Sequence, residues 1–254
     1  IVSRISVRME GLYIGVHIRR GDILDYDAQE HLISRYEPIS VIIKALQNVE
    51  KHHPGCRFIF ASDDASVRKI LTDTFKSECE ADSLANDIEC TDLQAALRDM
   101  LILSKCETVI GPWFSGFSSI GALMGGKERE EFSNFISLDE RIDAISQYVD
   151  QRRLTGPLDH LAAIDLAFLA RALAQKKDWA AARLAIAEAE TISPDFVLFR
   201  EILLDINFRA RHIDGTLDSL RKLAGGLPPR KEAQITFSRR LFAALNWLIP
   251  NLRA

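Results

Sequence analysis

Three short apolar runs, each stopped by a polar or glycine-bearing turn, constrain the first half of this chain more than any other feature. Residues 12–18 (LYIGVHI) are the first run, and they end at a charged turn. The period and length fit a strand buried on both faces. Residues 37–51 follow with Ile39, Ile42, Ile43, Leu46 and Val49 at helical spacing, closed by Pro54-Gly55. Arg57 to Ala61 is the second strand, and Ser62-Asp63-Asp64 predicts a turn and N-cap ahead of a helix over 65–76. A further helix is predicted over 92–105, a third strand over Glu107–Gly111, and the start of a helix within 115–124. Buried strands alternating with helices predict an α/β fold, a Rossmann-like parallel sheet covered on both faces. Such sheets bind ligands beyond the carboxyl ends of their strands. The candidate site is therefore His17 to Asp22, Ser62 to Asp64, and Trp113 to Ser119.

The second half has another character. After the break at Thr155-Gly156-Pro157 it is rich in Ala and Leu at helical spacing, with no convincing strand. Residues 151–254 hold 16 basic and 11 acidic residues, against 16 and 25 in residues 1–150. That asymmetry predicts two domains, 1–152 and 153–254, the second all-α. An acidic first half argues against nucleic-acid binding there. No apolar run approaches the roughly 18 to 20 residues of a membrane span. Arg4, Arg8 and Glu10 interrupt any signal-peptide pattern. With the strand-end turn so close to Ile1, the expectation is a longer protein whose N-terminal part precedes this chain.

The four cysteines, Cys56, Cys79, Cys90 and Cys106, form no C-x-x-C pair, so zinc and thioredoxin-like chemistry are not expected. Cys79 and Cys90 are open to pairing. The expectation is four free thiols in a reducing compartment, the cytoplasm. The alternative is a secretory-pathway lumen, if an upstream segment carries an anchor.

His17-Ile18-Arg19-Arg20-Gly21-Asp22 concentrates chemistry at one strand end. Two arginines present planar forks suited to phosphate oxygens. Gly21 permits a tight turn, His17 can donate to phosphate or ribose, and Asp22 can orient an arginine. Taken alone, the Arg-Arg-Gly-Asp stretch reads more readily as a solvated basic turn with an Asp cap. Asp99 reads as a ligand or as the solvated face of a helix. Ser115 to Ser119 read as donors or as an ordinary N-cap cluster. Trp113 and Phe114 either line a base pocket or pack, and packing is the expectation.

The segment IGVHIRRGDI (14–23) resembles the first motif of fucosyltransferases, H-x-R-R-G-D in the α1,2 group and H-x-R-R-T-D in the α1,6 group. FIFASDDASVRKIL (58–71) is similar to the second motif, and residues 96–124 resemble the third. Within the third, SGFSSIGAL (115–123) parallels S-S-F-S-W-W-G-A-W, with Ser119 and Ile120 in place of two tryptophans. The resemblance implies the nucleotide-binding half of a GT-B fold and metal-independent, inverting transfer from GDP-fucose to a glycan or protein acceptor, with no cofactor. It implies that Arg19 and Arg20 stabilise the departing diphosphate, that His17 contacts the same end, and that Asp99 accepts from guanine. It also implies that Ser115 and Ser118 donate to the diphosphate, and that Asp63 and Asp64 cap the next helix or touch the base.

From Ala163 a 34-residue pattern resembles a tetratricopeptide repeat. Leu166, Leu169, Ala170, Leu173, Trp179, Ala182, Ile186, Ala189 and Pro194 take its large, small and proline positions. A weaker unit runs to Pro228, and a closing helix is predicted over 231–249. The alternatives are a generic helical bundle and, for function, a non-catalytic interaction protein binding a partner through residues 160–254.

Overall fold

The computed structural model describes residues 9, 11–20, 35–76, 91–113 and 115–225. Gly21, Asp22, Cys79, Cys90, Phe114, Pro228 and the helix expected over 231–249 lie outside the described residues. The chain divides into two compact units, Ile1–Ser137 and Leu138–Ala254.

The first unit is a four-stranded, all-parallel sheet in the order β2-β1-β3-β4. Its strands are β1 (Tyr13–Ile18), β2 (Arg57–Ser62), β3 (Thr108–Gly111) and β4 (Arg129–Glu131). Its helices among the described residues are α1 (Ile39–His52), α2 (Ala65–Phe75), α3 (Asp92–Lys105) and α4 (Gly116–Met124). A 3₁₀ turn, Phe132–Phe135, follows β4, and Asn48 of α1 donates to the Phe135 carbonyl.

Strand period dictates which residues meet which helices. Tyr13 and Ile59 pack with Ile102 of α3 and with Cys106, its C-cap. Ala61 and Val109 pack with Leu103 of α3 and Ala122 of α4. A Cβ on Gly15 would stand 2.6 Å from Leu103 Cδ2 and 3.1 Å from Cys106 Sγ, so β1 needs glycine there to let α3 approach. The even-numbered residues point the other way, where Phe58 and Phe60 meet Phe75 of α2. Both sheet faces are thus covered, as apolar strands without alternation require.

Local signals set the helix starts. Asp64 caps α2 by accepting from the Ser66 and Val67 amides. Thr91 and Gln94 form a capping box on α3. Ser115 caps α4 through the Ser118 amide. Cys56 and Cys106 are buried free thiols, and burial pushes the Cys106 thiol up to about 12.

The second unit is helical: α5 (Leu138–Thr155), α6 (His160–Gln175), α7 (Trp179–Ile192), α8 (Val197–Arg209) and α9 (Ile213–Gly225). Residue 152, the predicted domain limit, falls inside the single helix α5, which clusters with the second unit. Ala162, Ala163, Ala167, Ala170, Ala182, Ala185 and Ala189 are buried, and their small side chains let α6 and α7 approach closely. Asp178 caps α7 through the Ala181 amide.

The turns of the two hairpins repeat. Lys177 (φ 65°) and Arg211 (φ 58°), 34 residues apart, both take the left-handed conformation. Lys177 and Asp178 donate to the Ala174 and Leu173 carbonyls, and Arg211 and His212 donate to the Phe208 and Asn207 carbonyls. Burial repeats with the turns: Ala170 and Leu204, Ala182 and Thr216, Ile186 and Leu220, Ala189 and Leu223 are all buried.

Candidate functional site

The carboxyl ends of β1, β2 and β3 lie side by side, since His17 is in register with Ala61 and Val16 with Ile110. Three loops therefore converge, carrying Arg19 and Arg20, Asp63 and Asp64, and Trp113 and Ser115.

His17 is the centre of the arrangement. It is 7% exposed and stacks on Phe117 of α4 with ring centroids 4.6 Å apart. Its Nδ1 lies 3.0 Å from Ser115 Oγ. Burial, with the positive charges of Arg19 and Arg129, holds its pKa down at about 3. A ring that resists protonation so strongly is a poor general base at neutral pH. It is a neutral hydrogen-bonding group locked between a serine and a phenylalanine.

Ser115 and Ser118 are both buried. Ser115 Oγ accepts from the Ser118 amide, and the Ser118 hydroxyl donates weakly to the Ser115 carbonyl at 3.5 Å. A Cβ on Gly111 would overlap the Ser118 side chain, so the end of β3 sits directly against the first turn of α4. The Ser118 hydroxyl faces into this packing, whereas Ser119, one residue on, is exposed and bonds the Ser115 carbonyl at 2.7 Å.

The adjacent arginines diverge. Arg19 is half-buried, but Arg20 is 4% exposed and turns inward. Its guanidinium lies 4.5 Å from the centre of the Tyr36 ring, donates to the Tyr36 hydroxyl at 3.0 Å and to the Glu37 carbonyl at 3.3 Å. These contacts anchor the guanidinium within the corner. Asp63 Oδ1 accepts from the Arg20 backbone amide at 2.8 Å, tying β2 to the same corner.

Asp64 is occupied with α2. Burial alone would raise its pKa, but hydrogen bonds from the Ser66 hydroxyl and the Val67 and Ser66 amides, with Arg20 nearby, lower it overall. Asp99 accepts from Arg98 at 2.8–2.9 Å on α3. These contacts place Asp99 in an ion pair within its own helix, and the hydrogen bonds that join His17, Ser115 and Ser118 do not include it. Trp113, expected to pack, is instead 58% exposed at the carboxyl end of β3.

Two participants carry no signal in the sequence. Phe117 was an apolar residue like any other until its ring met His17. Arg129 lies on β4, whose Arg-Glu-Glu sequence carries no hydrophobic signal for a strand. Its Nη1 donates to the Gly111 and Pro112 carbonyls at 3.0 and 2.6 Å, and Nη2 pairs with Glu131 at 3.0 Å.

Among the described residues, no group of three or more His, Cys, Asp or Glu is arranged to hold a metal ion. Among them, too, no helix is long and apolar enough to cross a membrane. No curated protein and no solved structure matches the chain. The model of glycosyl transferase family 11 matches residues 4–146, a span that contains every strand and both serines of this site. With more than half of its length matched, the chain belongs to glycosyl transferase family 11, a fucosyltransferase family.

Proposed function

We propose that the first unit binds GDP-fucose and serves metal-independent, inverting fucosyl transfer to a glycan or protein hydroxyl. The observation that carries this reading is the His17–Ser115 pair at the carboxyl edge of a parallel sheet, inside the segment matched by the family. Neutral His17 can donate one N–H, and the first turn of α4 offers backbone amides and a dipole that favour an anion. Arg19 is the cation assigned to the β-phosphate. Arg20 is reassigned to holding the corner in shape. Ser119 is a better-exposed hydroxyl than Ser118, and Trp113 is a largely exposed indole at the same strand end.

In the reaction, the acceptor oxygen bonds to the anomeric carbon from the face opposite the diphosphate. The bond from that carbon to the β-phosphate oxygen breaks, and its electron pair leaves with GDP. The acceptor hydroxyl releases its proton to water. Negative charge grows on the β-phosphate, and a preorganised donor there is worth about 2.7–4 kcal/mol in comparable sites. Asp99, already ion-paired with Arg98, would accept from the guanine edge with its remaining lone pairs.

Isothermal titration tests the donor assignment. GDP should bind, UDP should bind more weakly, and Arg19→Ala should lower GDP affinity. Preference for UDP overturns the donor, and unchanged affinity in Arg19→Ala overturns that residue's role.

A second reading concerns the second unit. The turn geometry repeated at Lys177 and Arg211 favours tetratricopeptide-like pairs that present a helical surface to a protein partner. Stable capture of a partner through residues 160–254, with no nucleotide bound by the whole chain, would favour this role over transfer.

A further inference from the structure

We propose that Arg129 is a positioning residue of the donor site, acting through Ser115 on His17 rather than on the ligand. The inference rests on the donor-binding reading of the same corner. β4 lies beside β3, with Val109 opposite Arg129 and Gly111 opposite Glu131. From the start of β4 the Arg129 side chain reaches the carboxyl end of β3, where the sheet stops and backbone carbonyls need donors. Its Nη1 serves two successive carbonyls, those of Gly111 and Pro112. The Pro112 carbonyl also accepts from the Ser115 amide at 3.3 Å. One oxygen therefore joins Arg129 to the residue whose hydroxyl meets His17.

The guanidinium fork suits this task. One planar group spans two carbonyls while its other nitrogen is held by Glu131. The Arg129 side chain is only 13% exposed, so its charge sits close to His17 without much screening by water. Both effects act in one direction. The fork fixes Ser115 where it bonds Nδ1, and the charge favours the uncharged ring. Nη1 and Nη2 of Arg129 are both engaged, by carbonyls and by a carboxylate.

A lysine keeps the charge but not the fork, which makes Arg129→Lys the informative variant. In the full chain, the ¹⁵N signal of His17 Nδ1 reports its bond to Ser115, with Ser115→Ala as the reference for its loss. Arg129→Lys should move that signal toward the Ser115→Ala value and weaken GDP binding by about tenfold, the cost of one misplaced hydrogen bond. In the Ser115→Ala background, Arg129→Lys should weaken GDP binding no further. Glu131→Gln, which leaves the arginine but loosens its anchor, should move the signal the same way and less far, and it decides the matter if Arg129→Lys does not fold. A wild-type Nδ1 signal in the folded variants, or additive losses in affinity, overturns the proposal. If the wild-type chain binds no GDP, the donor-binding reading fails, while the Nδ1 signal still decides whether Arg129 positions Ser115.

Discussion

Ser115 Oγ and His17 Nδ1, 98 residues apart in the chain, stand 3.0 Å apart in the fold. The contact joins the end of β1 to the N-terminus of α4. It makes the helix cap and the strand-end histidine one unit, so neither can be changed without the other.

Ser115→Ala removes the cap of α4 and the partner of His17 together. Loss of an N-cap costs about 1 kcal/mol, and an unpaired polar atom in a buried site about 1–3 kcal/mol. The expected loss of unfolding free energy is therefore about 2–4 kcal/mol, read from urea denaturation. Ser115→Thr keeps the hydroxyl and should lose much less. Equal losses in the two variants would show that the hydroxyl is not what matters.

His17 makes stability depend on pH in a defined window. Its pKa is 6.5 when unperturbed and about 3 in the fold. Between those values the unfolded chain binds a proton that the folded chain refuses. Stability is therefore complete above the unfolded value, falls as pH drops through the window, and levels off near the folded value. The slope for one proton is about 1.4 kcal/mol per pH unit. Denaturation of wild type and His17→Gln at several pH values isolates this contribution, because the other groups titrate in both. Parallel curves would mean that the ring is protonated in the folded chain.

Among the described residues of the first unit up to Met124, three strands and four helices were legible because their cores are simple. Short apolar runs, a Pro-Gly stop, and Asp or Ser caps are local signals, and Asp64, Ser115 and Pro54-Gly55 each act within a few residues. β4 was not legible. Arg129-Glu130-Glu131 has no apolar period, and the strand exists because β3 offers it a backbone edge. The fates of Arg19 and Arg20 were equally hidden. Two adjacent arginines look alike in sequence, and the difference lies in Tyr36, sixteen residues away from Arg20, which offers one of them a ring and a hydroxyl. Trp113 shows the converse: an indole expected to pack is 58% exposed at the strand end.

The two arginines should separate cleanly under substitution. Arg20→Ala gives up a cation–π contact and two hydrogen bonds in a buried setting, a loss of about 2–3 kcal/mol in stability. Arg19→Ala, at a half-buried position, should cost less stability than Arg20→Ala. Under the donor reading it should weaken GDP binding by about 10- to 100-fold, the usual worth of a charge-assisted hydrogen bond to phosphate. Denaturation and calorimetric titration of both variants give the four numbers. A reversed pattern, with Arg19 carrying stability and Arg20 carrying affinity, would overturn both assignments.

Gly111 sets how closely β3 meets α4. An added Cβ would overlap the Ser118 side chain, which is itself fully buried. Gly111→Ala should therefore cost about 1–3 kcal/mol, as overpacking does elsewhere. It should also disturb the Ser115–His17 bond, because Ser118 is the residue whose amide Ser115 caps. Gly116, with nothing within 4 Å of its Cβ position, is the control, and Gly116→Ala should be close to neutral. Equal effects at both glycines would rule out the close contact as the cause.

Lys177 and Arg211 test whether the two hairpins of the second unit are one design used twice. Each is a non-glycine residue in the left-handed region, and each closes its turn with the same two backbone hydrogen bonds. The left-handed conformation costs an ordinary residue about 1–2 kcal/mol, part of which glycine returns through its freer unfolded chain. Lys177→Gly and Arg211→Gly should each stabilise the protein by about 0.5–1 kcal/mol. β-branched valine at either place should destabilise it. Because the sites are separate turns with no shared partner, the two glycine gains should add in the double variant. Gain at one turn and loss at the other, measured by urea denaturation, would mean that the 34-residue match in geometry conceals two different turns.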